Sequence, residues 1–148
     1  MDGASGGDCV ANGRLAALDW LARRRYYANM VQNDNMQKQG ITWFVSRHTG
    51  AIEWARRQGL AVDRWVTHLA AGDVTAGDTV IGSLPVNLAA AVCKRGARYL
   101  HLSLEVPEAW RGRELTANDL LEIAARLDAY RIVRVESDFT HNDFKGGA

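Results

Sequence analysis

Five consecutive residues carry side chains of the types that bind phosphate groups and move protons beside them. They are Ser46, Arg47, His48, Thr49 and Gly50, directly after a β-type apolar run. Hydroxyls and a guanidinium fork donate hydrogen bonds to phosphate oxygens, and an imidazole exchanges a proton near neutral pH. A glycine lets a ligand approach the backbone closely. The alternative is a structural turn, in which a hydroxyl caps the next helix and His48 is simply exposed.

A second turn of this kind follows a later strand and precedes another helix. It comprises Gly82, Ser83, Leu84 and Pro85, and it offers backbone N–H groups and one hydroxyl but no charge. Gly-Ser turns are common, so this turn alone is weak evidence for a binding site. Its value is positional, because ligands of open α/β sheets bind beyond the carboxyl ends of the strands. The two turns could therefore face each other at one edge of the sheet.

A polar loop over residues 107–114 adds an aromatic ring beside positive charge. Trp110 could stack on a purine base and Arg111 could contact phosphate, although solvated surface arginines are the commoner case. The other tryptophans are expected in the core or at a dimer contact. His68 and His101 each lie within a strand pattern, where a structural histidine is commoner than a functional one.

Strand and helix patterns alternate along the chain from residue 41 to residue 136. Strands are predicted over residues 41–45, 62–69, 79–82, 99–104 and 132–135. Helices are predicted over residues 49–58 and 86–95, and a third begins at the capping pair Thr116 and Asp119 and continues through the apolar stripe Leu120, Ile123, Ala124 and Leu127. This alternation predicts an α/β domain with a mostly parallel sheet flanked by helices.

The composition limits the kinds of partner and cofactor. A formal net charge of +1 gives no global field for long nucleic acid. No apolar stretch approaches the roughly 20 residues needed to span a bilayer, and no signal peptide is evident, so a cytoplasmic protein without membrane contact is expected. Zinc-type Cys/His spacing, a phosphate-binding P-loop and a dinucleotide fingerprint are all missing. We therefore expect neither a metal nor a cofactor.

Residues outside this region are predicted to be appendages. Residues 1–13 are rich in Gly, Asp and Ser and should be flexible. A possible helix follows within residues 1–40, with Leu15, Leu18, Ala22 and Tyr26 on one face. Residues 137–148 are predicted to form a flexible tail.

Five segments together resemble a known family. They are WFVSRHTGAIEWA (residues 43–55), DR (63–64), GDTVIGSLP (77–85), RYLHLSL (98–104) and RGREL (111–115). They resemble the small stand-alone CRISPR-associated proteins encoded with type III systems, and the likeness covers residues 41–136. The resemblance implies a Rossmann-like, CARF-like domain that binds cyclic oligoadenylate. It further implies a ring nuclease that cleaves this messenger, with cyclic tetra-adenylate as the expected ring, and so switches off antiviral signalling.

The resemblance, combined with the residue types, gives each candidate a role. In a metal-independent attack of the ribose 2′-hydroxyl, Arg47 would stabilise phosphate charge, His48 would act as acid or base, and Ser46 would orient the phosphate. The expected ligand-binding residues are Thr49, Gly50, Gly82, Ser83, Leu84, Pro85, Trp110 and Arg111. A homodimer is expected, because a ring of repeated nucleotides matches two-fold symmetry.

Three other functions are compatible with the same residues. A sensor or sponge would use both turns to bind the ring without cleaving it. A mononucleotide-dependent enzyme would use a similar sheet, although the missing glycine-rich fingerprint counts against it. A purely structural protein would leave the paired polar turns unexplained.

Overall fold

In the part of the chain that the structure describes, five strands form one sheet, in which four neighbouring strands run parallel and the last runs antiparallel. The computed structural model describes residues 40–136, together with the isolated positions Ala22 and Arg25. The strands are β1 (Thr42–Val45), β2 (Arg64–Val66), β3 (Thr79–Gly82), β4 (Arg98–Ser103) and β5 (Arg126–Tyr130). Their order across the sheet is β2-β1-β3-β4-β5, and only β5 opposes its neighbour.

Within residues 40–136, three α-helices connect and cover these strands. They are α1 (Thr49–Arg57), α2 (Val86–Lys94) and α3 (Ala117–Glu122), and two single 3₁₀ turns, η1 (Ala71–Asp73) and η2 (Glu108–Trp110), lie in the connections. At the start of α3, the Asp119 N–H donates to the Thr116 side chain at 3.2 Å, and the Thr116 N–H donates to the Asp119 carboxylate at 2.9 Å. The predicted capping pair is therefore confirmed.

Alternate residues of β1 enter two separate apolar cores, one on each face of the sheet. Phe44 belongs to the core that also contains Trp54 of α1 and Leu120 of α3. Trp43 shares the opposite core with Val92 of α2. Because β1 is covered on both faces, all four of its residues are buried. Each fully buried side chain of this size contributes about 1.5–3 kcal/mol to folding.

The end of the domain differs from the prediction. The apolar stripe was expected to continue a helix to Leu127, but α3 ends at Glu122 and Ala124 takes a left-handed conformation with φ of 52°. Leu127 reaches the same core from β5 instead. The strand predicted over residues 132–135 is wrong, since those residues have no regular structure. Of the strand predicted over residues 62–69, only Arg64–Val66 is observed, as β2.

The coarse fold class is confirmed as α/β with a mostly parallel sheet and flanking helices. The Rossmann-like and CARF-like description is finer than this architecture establishes and stays a prediction. The predicted amino-terminal helix and the tail over residues 137–148 lie outside the described residues. None of the helices within the described residues is long and apolar enough to cross a bilayer.

Candidate functional site

The direction in which successive strands are added to the sheet reverses between the parallel strands β1 and β3. From β1 the chain passes through α1 to β2 on one side, and from β3 it passes through α2 to β4 on the other. Such a reversal separates the following turns and opens a crevice at the carboxyl ends of the strands, where ligands of open α/β sheets bind. Val45 pairs with Gly82 in the β1–β3 register, so the two predicted turns begin side by side.

A cavity of about 660 Å³ lies at this position. It collects residues from the turn after β1, the turn after β3 and the loop around η2. Eight predicted site residues line it, namely Ser46, Arg47, His48, Ser83, Leu84, Pro85, Trp110 and Arg111. The structure therefore brings together side chains that lie up to 65 positions apart between Ser46 and Arg111 in the sequence.

The other three predicted residues, Thr49, Gly50 and Gly82, do not line the cavity. Thr49 is the exposed first residue of α1. Gly50 is buried, and a Cβ there would lie only 1.9 Å from the carbonyl oxygen of Leu115. A Cβ at Gly82 would lie 2.5 Å from the carbonyl oxygen of Val45. The space at both glycines is thus occupied by the chain itself, which lets the elements around the cavity approach closely.

We expect the substitution Gly50→Ala to lower the free energy of unfolding by about 3 kcal/mol, at the upper end of overpacking penalties. The new methyl group meets backbone at Leu115, which cannot rotate away as a side chain could. The matched control is Gly72→Ala, because a Cβ at Gly72 has no neighbour within 4 Å. Urea unfolding of both variants measures the difference, and equal stabilities would contradict this account of Gly50.

The cavity combines an apolar floor with a positive rim. The floor consists of Leu69, Leu88, Leu102, Leu104 and Val106. At the rim, the guanidinium groups of Arg47 and Arg111 make no ion pair with any residue that the structure describes. Apolar walls suit the faces of bases and ribose, and unpaired guanidinium groups suit phosphate. This arrangement favours a ligand that carries both kinds of group.

His48 is oriented by a residue that the sequence analysis did not select. Its Nδ1 lies 3.2 Å from a carboxylate oxygen of Glu114, and its backbone N–H donates to the Ser46 hydroxyl oxygen at 3.1 Å. The carboxylate holds Nδ1, so Nε2 is the ring nitrogen left for a ligand. Glu114 lies 66 residues away in sequence, so no local pattern could have linked it to His48.

Hydrogen bonds that the sequence does not indicate fix the turn after β3. The Ser83 hydroxyl donates to the Leu102 carbonyl oxygen at 2.9 Å, and the Leu84 N–H donates to the Tyr99 hydroxyl at 3.1 Å. Burial raises the pKa of Tyr99, so its hydroxyl keeps its proton, which it donates to the Gly82 carbonyl oxygen at 3.2 Å. These bonds fix the shape of the cavity wall and leave the Ser83 oxygen as an acceptor.

The Trp110 ring is held in place by a contact with Arg113. The guanidinium carbon of Arg113 lies 4.4 Å from its ring centroid, which is a cation–π contact. Arg113 also forms an ion pair with Asp119 at 3.3 Å. The η2 loop is therefore tied to α3, and Trp110 stays against the cavity that it lines.

The two histidines expected to be structural have different surroundings. The His101 Nδ1 lies 2.6 Å from the Tyr99 hydroxyl, and its ring also contacts Tyr130, as a structural histidine would. His68 follows the shortened strand β2, is exposed and lines the cavity. The sequence pattern missed this because it extended the strand to residue 69, whereas β2 ends at Val66.

The chain matches the model of a known protein family. The family model described as "Putative CRISPR-associated protein (Cas_VVA1548)" matches residues 43–133, a range that contains all but the first residue of the sheet and every element lining the cavity. Neither a curated protein nor a solved structure matches the chain. Within the described residues, no three His, Cys, Asp or Glu side chains come together as a metal site requires.

Proposed function

Since the chain belongs to this family of CRISPR-associated proteins, whose model matches more than half of its 148 residues, we propose that it binds and cleaves a cyclic oligoadenylate. The observation that carries the proposal is the cavity at the carboxyl ends of β1 and β3. There Arg47, Arg111 and His48 meet beside an apolar floor. Cations and a proton carrier around apolar walls are what a nucleotide phosphodiester needs for binding and cleavage.

The size of the cavity supports a ligand that is shared between two protomers. A volume of about 660 Å³ falls in the range of roughly 300–1,000 Å³ that encloses one drug-sized molecule. Cyclic tetra-adenylate, the ring that we favour, has four nucleotides and is several times larger than such a molecule. A homodimer with two-fold symmetry would offer two such cavities to opposite sides of the ring. Two copies of Arg47 and two of Arg111 would then face its phosphates.

The proposed reaction uses the ribose of the ligand as the nucleophile. The 2′-oxygen forms a bond to the adjacent phosphorus, and the bond from phosphorus to the 5′-oxygen of the next nucleotide breaks. The products are a 2′,3′-cyclic phosphate and a 5′-hydroxyl. Arg47 stabilises the added phosphate charge and His48 exchanges a proton. The Ser46 oxygen accepts from the His48 N–H, so its own hydroxyl proton is free to orient a phosphate oxygen.

The experiment incubates the purified protein with radiolabelled cyclic tetra-adenylate in excess EDTA. We expect linear fragments that end in a 2′,3′-cyclic phosphate, and a sedimentation coefficient that corresponds to a dimer. An intact ring that co-elutes with the protein would contradict cleavage and favour a sensor or sponge. A ring that is neither bound nor cleaved would contradict the proposal as a whole.

A further inference from the structure

The cleavage proposed above requires two proton transfers, one from the attacking 2′-hydroxyl and one to the leaving 5′-oxygen. The cavity wall carries two imidazoles, those of His48 and His68. We propose that His68 is a second catalytic residue, which donates its proton to the leaving 5′-oxygen while His48 takes the proton of the 2′-hydroxyl. This inference rests on the proposed function and adds a residue to it.

His68 lies near the end of β1 because it follows β2, the strand that pairs with β1. Val45 pairs with Val66, and within this pairing the Ser46 N–H donates to the Val66 carbonyl oxygen at 3.0 Å. His68 follows Val66 by two residues, beyond the end of β2, and Arg47 follows Val45 by two residues. Both side chains line the cavity, so the imidazole and the guanidinium reach it from the ends of neighbouring strands.

The ring of His68 is available to a ligand. It is exposed at the cavity wall, and within the described part of the chain it forms no hydrogen bond or ion pair. The other cavity-lining histidine, His48, is held by Glu114, and His101 is held by Tyr99. Both ring nitrogens of His68 are therefore accessible to a ligand in the cavity.

The contact of His48 with Glu114 assigns His48 as the base, which leaves His68 as the acid. With Glu114 at its Nδ1, neutral His48 donates that N–H to the carboxylate and keeps an unprotonated Nε2. A carboxylate in this position also stabilises the imidazolium formed when Nε2 takes a proton. This makes His48 the base. His68, in its protonated form, gives one proton to the 5′-oxygen, so both protons are accounted for and exchange with water restores each ring.

The experiment compares two forms of cyclic tetra-adenylate, the natural ring and one with sulfur in place of each bridging 5′-oxygen. A thiolate leaves readily without protonation, because thiols are far more acidic than alcohols. We expect His68→Asn to slow cleavage of the oxygen ring by about 10²–10⁴-fold and to cleave the sulfur ring at nearly the wild-type rate. His48→Asn, the matched control, should be slow on both rings.

Each result bears on the inference. Cleavage of the oxygen ring by His68→Asn at the wild-type rate would overturn it, and so would an equal loss on both rings. Thermal unfolding midpoints equal to that of the wild type show that the variants are folded. Failure of the wild type to cleave either ring would overturn the proposed function itself, and the acid role of His68 with it. The wild-type measurement thus separates the two kinds of failure.

Discussion

Replacing Arg47 by alanine is expected to lower kcat for cyclic tetra-adenylate cleavage by about 10²–10³-fold, the loss typical of removing one group that stabilises transition-state charge. Arg47 lines the cavity and has no ion-pair partner among the described residues, so its charge is available to the ligand. Its side chain is exposed, so the free energy of unfolding should change by no more than about 0.5 kcal/mol.

The control for this variant is Arg134→Ala. Arg134 is also exposed, but it follows β5 and does not line the cavity. Both variants lose one positive charge, so a general electrostatic effect on ligand encounter would slow both. Single-turnover rates at saturating protein isolate the chemical step. Equal rates for Arg47→Ala and the wild type would contradict the role of Arg47 in charge stabilisation.

The substitution Asp78→Asn is expected to lower the free energy of unfolding by about 3 kcal/mol at neutral pH, the cost of losing hydrogen bonds to a buried charged acceptor. Asp78 is only 2% exposed. Its carboxylate accepts from the Ile41 N–H at 2.8 Å, the Thr75 N–H at 3.0 Å and the Trp43 indole N–H at 3.2 Å. The amide nitrogen of asparagine would oppose at least one of these donors. Asp73→Asn, at an exposed position of η1, is the control.

The same carboxylate predicts how stability depends on pH. Burial acts to raise the pKa of Asp78, but the hydrogen bonds from Thr75, Ile41 and Trp43 outweigh it and lower the pKa below its ordinary value. A carboxyl group with a lowered folded-state pKa stabilises fully above its unfolded value of about 3.9 and loses this effect as pH falls through the folded value. Urea unfolding at several pH values should therefore show the wild type and Asp78→Asn converging below about pH 4. A constant difference at all pH values would contradict this.

The sequence was a good guide to elements with a clear apolar period. All four elements of the β1–α1 and β3–α2 units were predicted within about two residues. A glycine or a proline marks a boundary of three of them, since α1 ends shortly before Gly59, β3 ends at Gly82 and α2 begins after Pro85. The error at Leu127 has a physical cause. A helix and a short turn followed by a strand can both place Leu120, Ile123 and Leu127 against the same core, and the left-handed backbone of Ala124 marks the turn between α3 and β5.

Only the location of the site at one edge of the sheet could be predicted from the sequence, by the general rules of α/β sheets. Those rules place the turns at Ser46 and Ser83 at the same edge of the sheet once the strands are identified, and the observed strand order makes them neighbours. They do not pair Glu114 with His48, since that contact depends on how the η2 loop returns over α1. The position of His68 also required the structure, because the length of β2 decides whether that residue is part of the sheet or part of the cavity wall.

The antiparallel direction of β5 has a practical use. Ser103, at the cavity end of β4, pairs with the first residue of β5, and Tyr130 at the other end pairs with Tyr99. The chain therefore leaves the sheet at the end remote from the cavity mouth. A fluorophore or a surface tether attached just after Tyr130 would leave the mouth unobstructed, so ring capture can be followed in real time on immobilised protein.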